Sequence, residues 1–255
     1  KQYLVPGRGV SDIRTCFPGP GAVTTSPKRT GAKYTPVLRV VDRAAALVPV
    51  ARYAFCRVVN AGKLAGLYAS TPEEAWSDAS DLSDQLHIIY KERSFHTVLS
   101  CAPPMYDEIW VGGKCMYKLE PVVADGGELI IYAPHIRDIS ITHGKLIERI
   151  GYHTRDYFLG QWDGFKDEPW GILAHSAPGR GCGSYAHGVG KPRILVTLAT
   201  QIPEATCRAI NLGYRDPASI NVADYQDRES EGILYVPKAG EMLYRLKNPP
   251  AWAQG

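Results

Sequence analysis

The apolar positions of this chain follow one pattern up to about residue 91 and another beyond it. In the first stretch, "PVLRVVDRAAAL" (Pro36 to Leu47) has helical spacing with a proline near its start. "RYAFCRVVNAGKLAGLYAS" holds two apolar runs hinged at Asn60–Lys63, which predicts a β-hairpin whose Asn and Gly tolerate positive φ. "STPEEAWSDASDLSDQLHIIYK" then predicts a helix. Thr71 is its N-cap, Pro72 its first residue and Glu74 the third position after the cap, a capping box. Ahead of residue 36 the chain is rich in Pro, Gly, Ser and Thr and reads as loop.

From Arg93 onward short apolar runs alternate with helix-like segments. "FHTVLSCA" is a strand, "YDEIWVGGKCMYKLEPVV" is helix-like, and "GELIIYAP" is a second strand. "THGKLIERIGYHTRDYFLGQW" reads as one long amphipathic helix, "WGILAHS" as a third strand and "PRILVTLAT" as a fourth. "PEATCRAINL" is a helix opening at Pro203, and "GILYVPKAGEMLYRL" a closing strand or hairpin. Such alternation means βαβ units and a parallel sheet buried on both faces. The expected fold is therefore α/β, with a doubly wound, mostly parallel sheet over residues 92–255. An α+β remnant of a second domain, residues 1–91, precedes it.

Composition narrows the function without naming it. The chain has 255 residues, 45% apolar and 22% charged, the make-up of an ordinary globular protein. A net charge of +3, with scattered charges, argues against nucleic acid or an anionic membrane as partner. No apolar run approaches the ~20 residues of a membrane span, and no signal peptide opens the sequence. Six cysteines, none in a C-x-x-C pair, suit reduced thiols in a cytoplasm and offer no zinc spacing. The chain starts at Lys1 rather than Met, which leads to the expectation that a front portion has been left off.

In parallel sheets ligands bind beyond the carboxyl ends of the strands. The segments after the expected strands hold Cys101, Tyr106 and Asp107, then Lys114 and Lys118; His135 and Arg137; His175, Ser176 and Arg180; Thr200 and Gln201. Cations, imidazoles and hydroxyls outnumber carboxylates there, the composition of a small-anion pocket. Lysines four apart on a helix are as often simply a solvated face. Gly112–Gly113 beside them, costing about 1 kcal/mol each inside a helix, suggests that something must come close. Lys114 is expected to face an interdomain cleft, and Lys118 the surface. His135 and His175 have the alternative of being satisfied histidines without a ligand, and the other histidines read as structural or surface. "GRGCGSYAHG" has G-x-G-x-G spacing and fails the dinucleotide pattern. "HSAPG" lacks the G-x-S-x-G elbow of a serine hydrolase.

Three stretches carry a resemblance: "YDEIWVGGKCMYKLEPVVADGGELIIYAPHI", "GYHTRDYFLGQWDGFKDEPWGILAHS" and "RILVTLATQIPEATCRAINLGYRDP". They resemble the C-terminal domain of the nickel-pincer lactate racemase family of 2-hydroxyacid racemases and epimerases. The opening "KQYLVPGRGVSDIRTCF" is similar to a segment of that family's N-terminal domain. The resemblance implies a pyridinium dithiocarboxylic mononucleotide bound to a lysine, its nickel held through sulfur, carbon and sulfur and completed by a histidine. It implies that a histidine base deprotonates the substrate hydroxyl while the α-hydride moves to the cofactor and returns to the opposite face. By register Lys114 matches a lysine of the substrate site, with Val111 where the family has glutamine. Trp162 or Trp170 matches a site tryptophan, and Trp170, His175 and Arg180 join Lys114 as the expected substrate-binding set. Lys1 matches the cofactor-bearing lysine if the loop before Pro6–Gly7 is one residue longer, whereas Phe17 stands at the metal-histidine position, so no metal ligand is assigned. The acid/base histidines and the carboxylate-binding arginine would lie upstream of Lys1. The implied partners are a small 2-hydroxy acid and the missing N-terminal domain or an upstream chain. The alternative is a non-catalytic relative that binds a small anion or a partner.

Overall fold

The structure, a computed structural model, describes Lys33, Tyr34 and residues 36–250; Lys1 and Phe17 lie outside the described residues. It opens with helix α1 (Pro36–Ala46), followed by the antiparallel strands β1 (Ala54–Asn60) and β2 (Lys63–Ser70). Asn60 pairs with Lys63 to close the hairpin, and the positive φ falls on Ala61 (+48°) and Gly62 (+77°), not on Asn60. Two consecutive left-handed residues match the right-handed twist of the strands, so the turn geometry outweighs the cost of alanine there.

Helix α2 (Pro72–His87) begins at the expected capping box. The Thr71 hydroxyl accepts from the Glu74 amide at 3.4 Å and donates to the Glu74 carboxylate at 3.0 Å. α2 lies along one face of the hairpin: the Cα of Gly66 sits so close that an added Cβ would be 2.6 Å from Leu82. The short strand β3 (Ile88–Lys91) leads out of this unit.

A five-stranded parallel sheet follows, in the order β10-β4-β5-β8-β9. Its strands are β4 (Phe95–Cys101), β5 (Val123–Ala133), β8 (Leu195–Thr200), β9 (Gly213–Tyr214) and β10 (Ile233–Val236). One face, with Val98, Leu129, Ile131 and Leu198, buries helices against it; the other, with Leu99, Ile130 and Ala199, is covered by the 3-10 turns around Ile220 and Val222. Burial on both faces explains the near-continuous apolar runs. This is the α/β class, with a parallel sheet flanked by helices, that the sequence pattern implies. Among the described residues no helix is long and apolar enough to cross a membrane.

Several elements differ from their sequence reading. The helix-like segment after β4 is two single turns, α3 (Ile109–Gly112) and α4 (Lys114–Tyr117). The long helix expected around residues 142–162 is broken into α5 (Gly144–Ile150), α6 (Arg155–Gly160) and α7 (Trp162–Phe165). Gly151 turns the chain with φ +76°, and the Tyr152 amide then donates to the Ile210 carbonyl at 2.8 Å. A tertiary hydrogen bond thus replaces a helical one, and Thr154 caps the new start.

"WGILAHS" is not a strand but the opening of helix α8 (Trp170–Arg180). Its buried positions Ile172, Leu173, Ser176, Ala177 and Gly179 make a helical stripe. Strands β6 (Gly183–Ala186) and β7 (Val189–Pro192) form a hairpin beyond it. Helix α9 (Glu204–Ala209) starts after Pro203 as expected. The closing segment is not a hairpin: β10 pairs in parallel with β4, while β11 (Leu243–Leu246) pairs in parallel with β3.

Candidate functional site

Beyond the carboxyl ends of β4 and β5 the chain builds a rigid rim. Glu108 and Asp138 form a parallel bridge, the Ile109 and Trp110 amides donate to the Asp138 and Ile139 carbonyls at 3.0 and 2.9 Å, and the Glu108 carboxylate accepts from the Ile141 amide at 2.6 Å. His135 is a satisfied histidine, its Nε2 2.9 Å from the Tyr106 carbonyl. The Trp110 indole stacks on His175 at 3.8 Å and lies 4.7 Å from the His143 ring. His175 Nε2 shares a hydrogen bond with the Tyr152 hydroxyl at 3.1 Å. Burial, with His143 adding, pushes the His175 pKa down to about 4, and burial raises that of Tyr152. At neutral pH this is an uncharged imidazole with one ring nitrogen engaged and one face covered.

The two lysines of the opening helix-like segment point to different places. Lys114 Nζ sits 5.3 Å from the centroid of the Tyr106 ring, a cation–π arrangement. Gly240, with φ +86°, brings backbone so near that a Cβ there would be 2.9 Å from the Tyr106 hydroxyl and 3.0 Å from Lys114 Cβ. Gly112 and Gly113 are different. A Cβ on either would meet its nearest neighbour, Ile136 or His175, at an ordinary 3.5 Å, so these glycines mark the junction of α3 and α4 rather than a forced approach.

Lys118, expected at the surface, lines a cleft of about 760 Å³ between α2 and the β10–β11 loop. Its ammonium donates to the Glu241 carbonyl at 3.1 Å, and burial together with Lys114 lowers its pKa. Across the cleft are Trp76, Asp81, Asp84 and His87 of α2, with Lys33 paired to Asp81 at 2.6 Å. Lys114 is not in the cleft lining. Asp81, Asp84 and Glu241 face Lys33 and Lys118, so this lining is of mixed charge, and of the expected strand-end residues only Lys118 is part of it. The strand-end reading took His175, Ser176 and Arg180 from a strand that is a helix.

The same change moves the other expected residues. Trp170 and Arg180 stand at opposite ends of α8, about 15 Å apart at 1.5 Å per residue. Trp170 Nε1 donates to the Lys166 carbonyl at 2.7 Å, and its ring tilts against Trp162 at 5.6 Å. Arg180 is largely buried, with no hydrogen-bond partner for its Nε, and helps burial push His153 down to about 4. His175 neighbours α4 through Gly113, but Lys114 leans away toward Tyr106. The four residues do not converge. Trp110, His143 and Tyr152 carry no sign of this cluster in the sequence, because their contacts join residues 23, 33 and 65 positions apart. Among the described residues no group of three or more His, Cys, Asp or Glu is placed to hold a metal ion.

Two solved structures share this fold. A protein from Thermotoga maritima superposes with a TM-score of 0.73 and 33% identity, over 84% of this chain and 54% of its own. The lactate racemase apoprotein from Thermoanaerobacterium thermosaccharolyticum superposes with a TM-score of 0.55 and 15% identity, over 82% of this chain and 49% of its own. At 15% identity the second likeness speaks to the fold. The chain thus spans about half the length of each of these two structures. No family description matches the chain, and neither does any curated protein.

Proposed function

We propose that this chain is the sheet-bearing part of a lactate-racemase-like isomerase that inverts the α-carbon of a 2-hydroxy acid. The observation that carries the reading is the fold held in common with a lactate racemase apoprotein over 82% of the chain. The sequence segments quoted above run through the parallel sheet and the helices packed on it.

Within this reading a nickel-pincer nucleotide would supply the hydride acceptor. The nucleotide would hold its own metal through sulfur, carbon and sulfur, and at the position of the one completing histidine this chain has Phe17. Lys1 would carry the cofactor, at the residue the resemblance assigns. The cation offered to a hydroxy-acid carboxylate in the cleft is Lys118. Its partial burial makes a charge–charge contact worth more than at an open surface. Lys114 acts one step back, raising the local positive potential while packed on Tyr106. His175 serves as a positioning residue that fixes Trp110 and hence the rim.

The second reading, a relative that binds a small anion or partner without catalysis, is favoured by Phe17 at the metal-histidine position. Two measurements on the natural-length protein separate them. Nickel near one equivalent, with interconversion of D- and L-2-hydroxy acids on chiral chromatography, is the expected result. Lys118→Met should then raise KM about tenfold or more with a smaller change in kcat, as loss of one charged contact predicts. Nickel-free protein that leaves every enantiomer untouched would hand the case to the binding reading.

A further inference from the structure

Helix α2 turns a polar stripe toward the cleft. Trp76, Ser80, Ser83, Asp84 and His87 stand at i, i+4, i+7, i+8 and i+11, one face of a helix, and all five line the cleft across from Lys118. A helix that packs on a core fills such positions with apolar residues. Here they border a space of about 760 Å³. A three-carbon hydroxy acid displaces about four waters, ~120 Å³, and would leave most of that space to solvent.

The wall facing Lys118 is rich in acceptors. His87 Nε2 lies 3.0 Å from the Val59 carbonyl, which can only accept, so in a neutral His87 it is Nδ1 that accepts from the Ser83 hydroxyl at 2.9 Å. Ser83 is then left with lone pairs alone to offer a ligand. Asp84 accepts from the Tyr90 hydroxyl with one oxygen, at 3.2 Å, and keeps the other. Glu241, whose carbonyl holds Lys118, keeps its carboxylate out of any ion pair among the described residues. Asp81 is taken by Lys33. A second anionic group on the ligand would be repelled along this wall, and a second cation would meet Lys33. Hydroxyls answer the acceptors without charge, and the Trp76 ring, met edge-on by Tyr34 at 5.9 Å, adds an apolar surface for the carbons between them. Resting on the reading that this cleft takes a 2-hydroxy acid, we infer that its ligand is a polyhydroxylated monocarboxylic acid, a sugar acid. Its carboxylate meets Lys118, and its hydroxyl-bearing chain runs along Ser83 and Asp84 of α2 and against Glu241.

The test is isothermal titration calorimetry of the natural-length protein with D-gluconate, D- and L-lactate, and sorbitol. Gluconate should bind about tenfold or more tightly than lactate, as one or two added hydrogen bonds predict. Sorbitol, which lacks the carboxylate, should bind about tenfold or more weakly than gluconate. Glu241→Gln and Asp84→Ala each remove a negative charge from the cleft, so electrostatics alone would tighten both acids. The expected signs are opposite: lactate unchanged or tighter, gluconate weaker by about fivefold or more. Both residues are exposed, so neither variant threatens the fold. Gluconate bound no better than lactate, or not at all, overturns the proposal. So does sorbitol equal to gluconate, or a change of the same sign for both acids in either variant. The wider reading fails separately. Protein that prefers lactate and interconverts its enantiomers sinks the sugar-acid assignment alone, whereas protein that prefers gluconate, holds no nickel and inverts nothing sinks the racemase alone.

Discussion

The hairpin and the parallel sheet use similar residues to opposite effect. In β5 and β8 nearly every apolar side chain is enclosed, whichever face it occupies. In β1 and β2 alternate residues stand in solvent although several are as apolar as those of the sheet. Strand propensity and apolar content do not distinguish the two. What differs is whether a layer exists on each side. An apolar strand is a statement about its neighbours, and among the described residues the hairpin has a layer, α2, on one face only.

The sheet should therefore be sensitive where the hairpin is tolerant. The largest effect is expected at Glu120, fully buried, whose carboxylate accepts from the Cys182 amide at 2.6 Å and lies 3.7 Å from Arg193. Glu120→Ala leaves the Cys182 amide without its acceptor, breaks the contact with Arg193, which keeps Asp125 and the carbonyls of residues 120 and 123, and opens a cavity; it should cost about 3–4 kcal/mol in urea unfolding. A loss below about 1 kcal/mol would mean that the sheet is not sealed there. Next comes a matched pair: Ile130→Ala in the sheet should cost about 3 kcal/mol, and Leu67→Ala in the isolated chain less than about 0.5 kcal/mol. Equal costs would erase the distinction between the two regions.

After the Ile130 effect comes one on the sheet side alone, read against pH. The folded-state pKa of His175 lies below its ordinary 6.5, so only the unfolded chain takes up the proton between about 6.5 and 4. Stability is therefore full above pH 6.5 and falls as the pH drops toward 4. His153, also pushed down to about 4, has the same sign. His175→Phe keeps the ring stack on Trp110 and should flatten this decline by about 1–2 kcal/mol, after allowance for partial exposure. An unfolding profile as steep as that of the parent would show that the imidazole is not held neutral.

Local chemistry was the part readable in advance. Thr71, Pro72 and Glu74 specify the start of α2 with no outside help, and the run of Val and Leu before Ala199 specifies β8. The errors fell where distant groups decide. Seven mostly apolar residues from Trp170 fit a short strand as well as a helix turn, and only the stripe continuing through Gly179 resolves them. The expected long helix runs through Gly151, but the chain turns there and the Ile210 carbonyl accepts from the next amide. The site suffered most, because once α8 is a helix its Trp170 and Arg180 separate. Lys118 rather than Lys114 then meets the cleft, since a position four residues along a helix keeps nearly the same face but not the same neighbours.

One last feature concerns β3 and β11. These two short strands zip together residues 88–91 and 243–246, and the Tyr244 amide adds a bond to the Lys118 carbonyl at 2.9 Å. Ile88 and Leu243, facing each other across this ribbon, both border the cleft. The ribbon is thus a hasp: its four residue pairs, with Lys91–Glu229 and Lys247–Glu92 beside them, fasten the end of α2 to the segment that carries Glu241 and so fix the width of the cleft at Lys118.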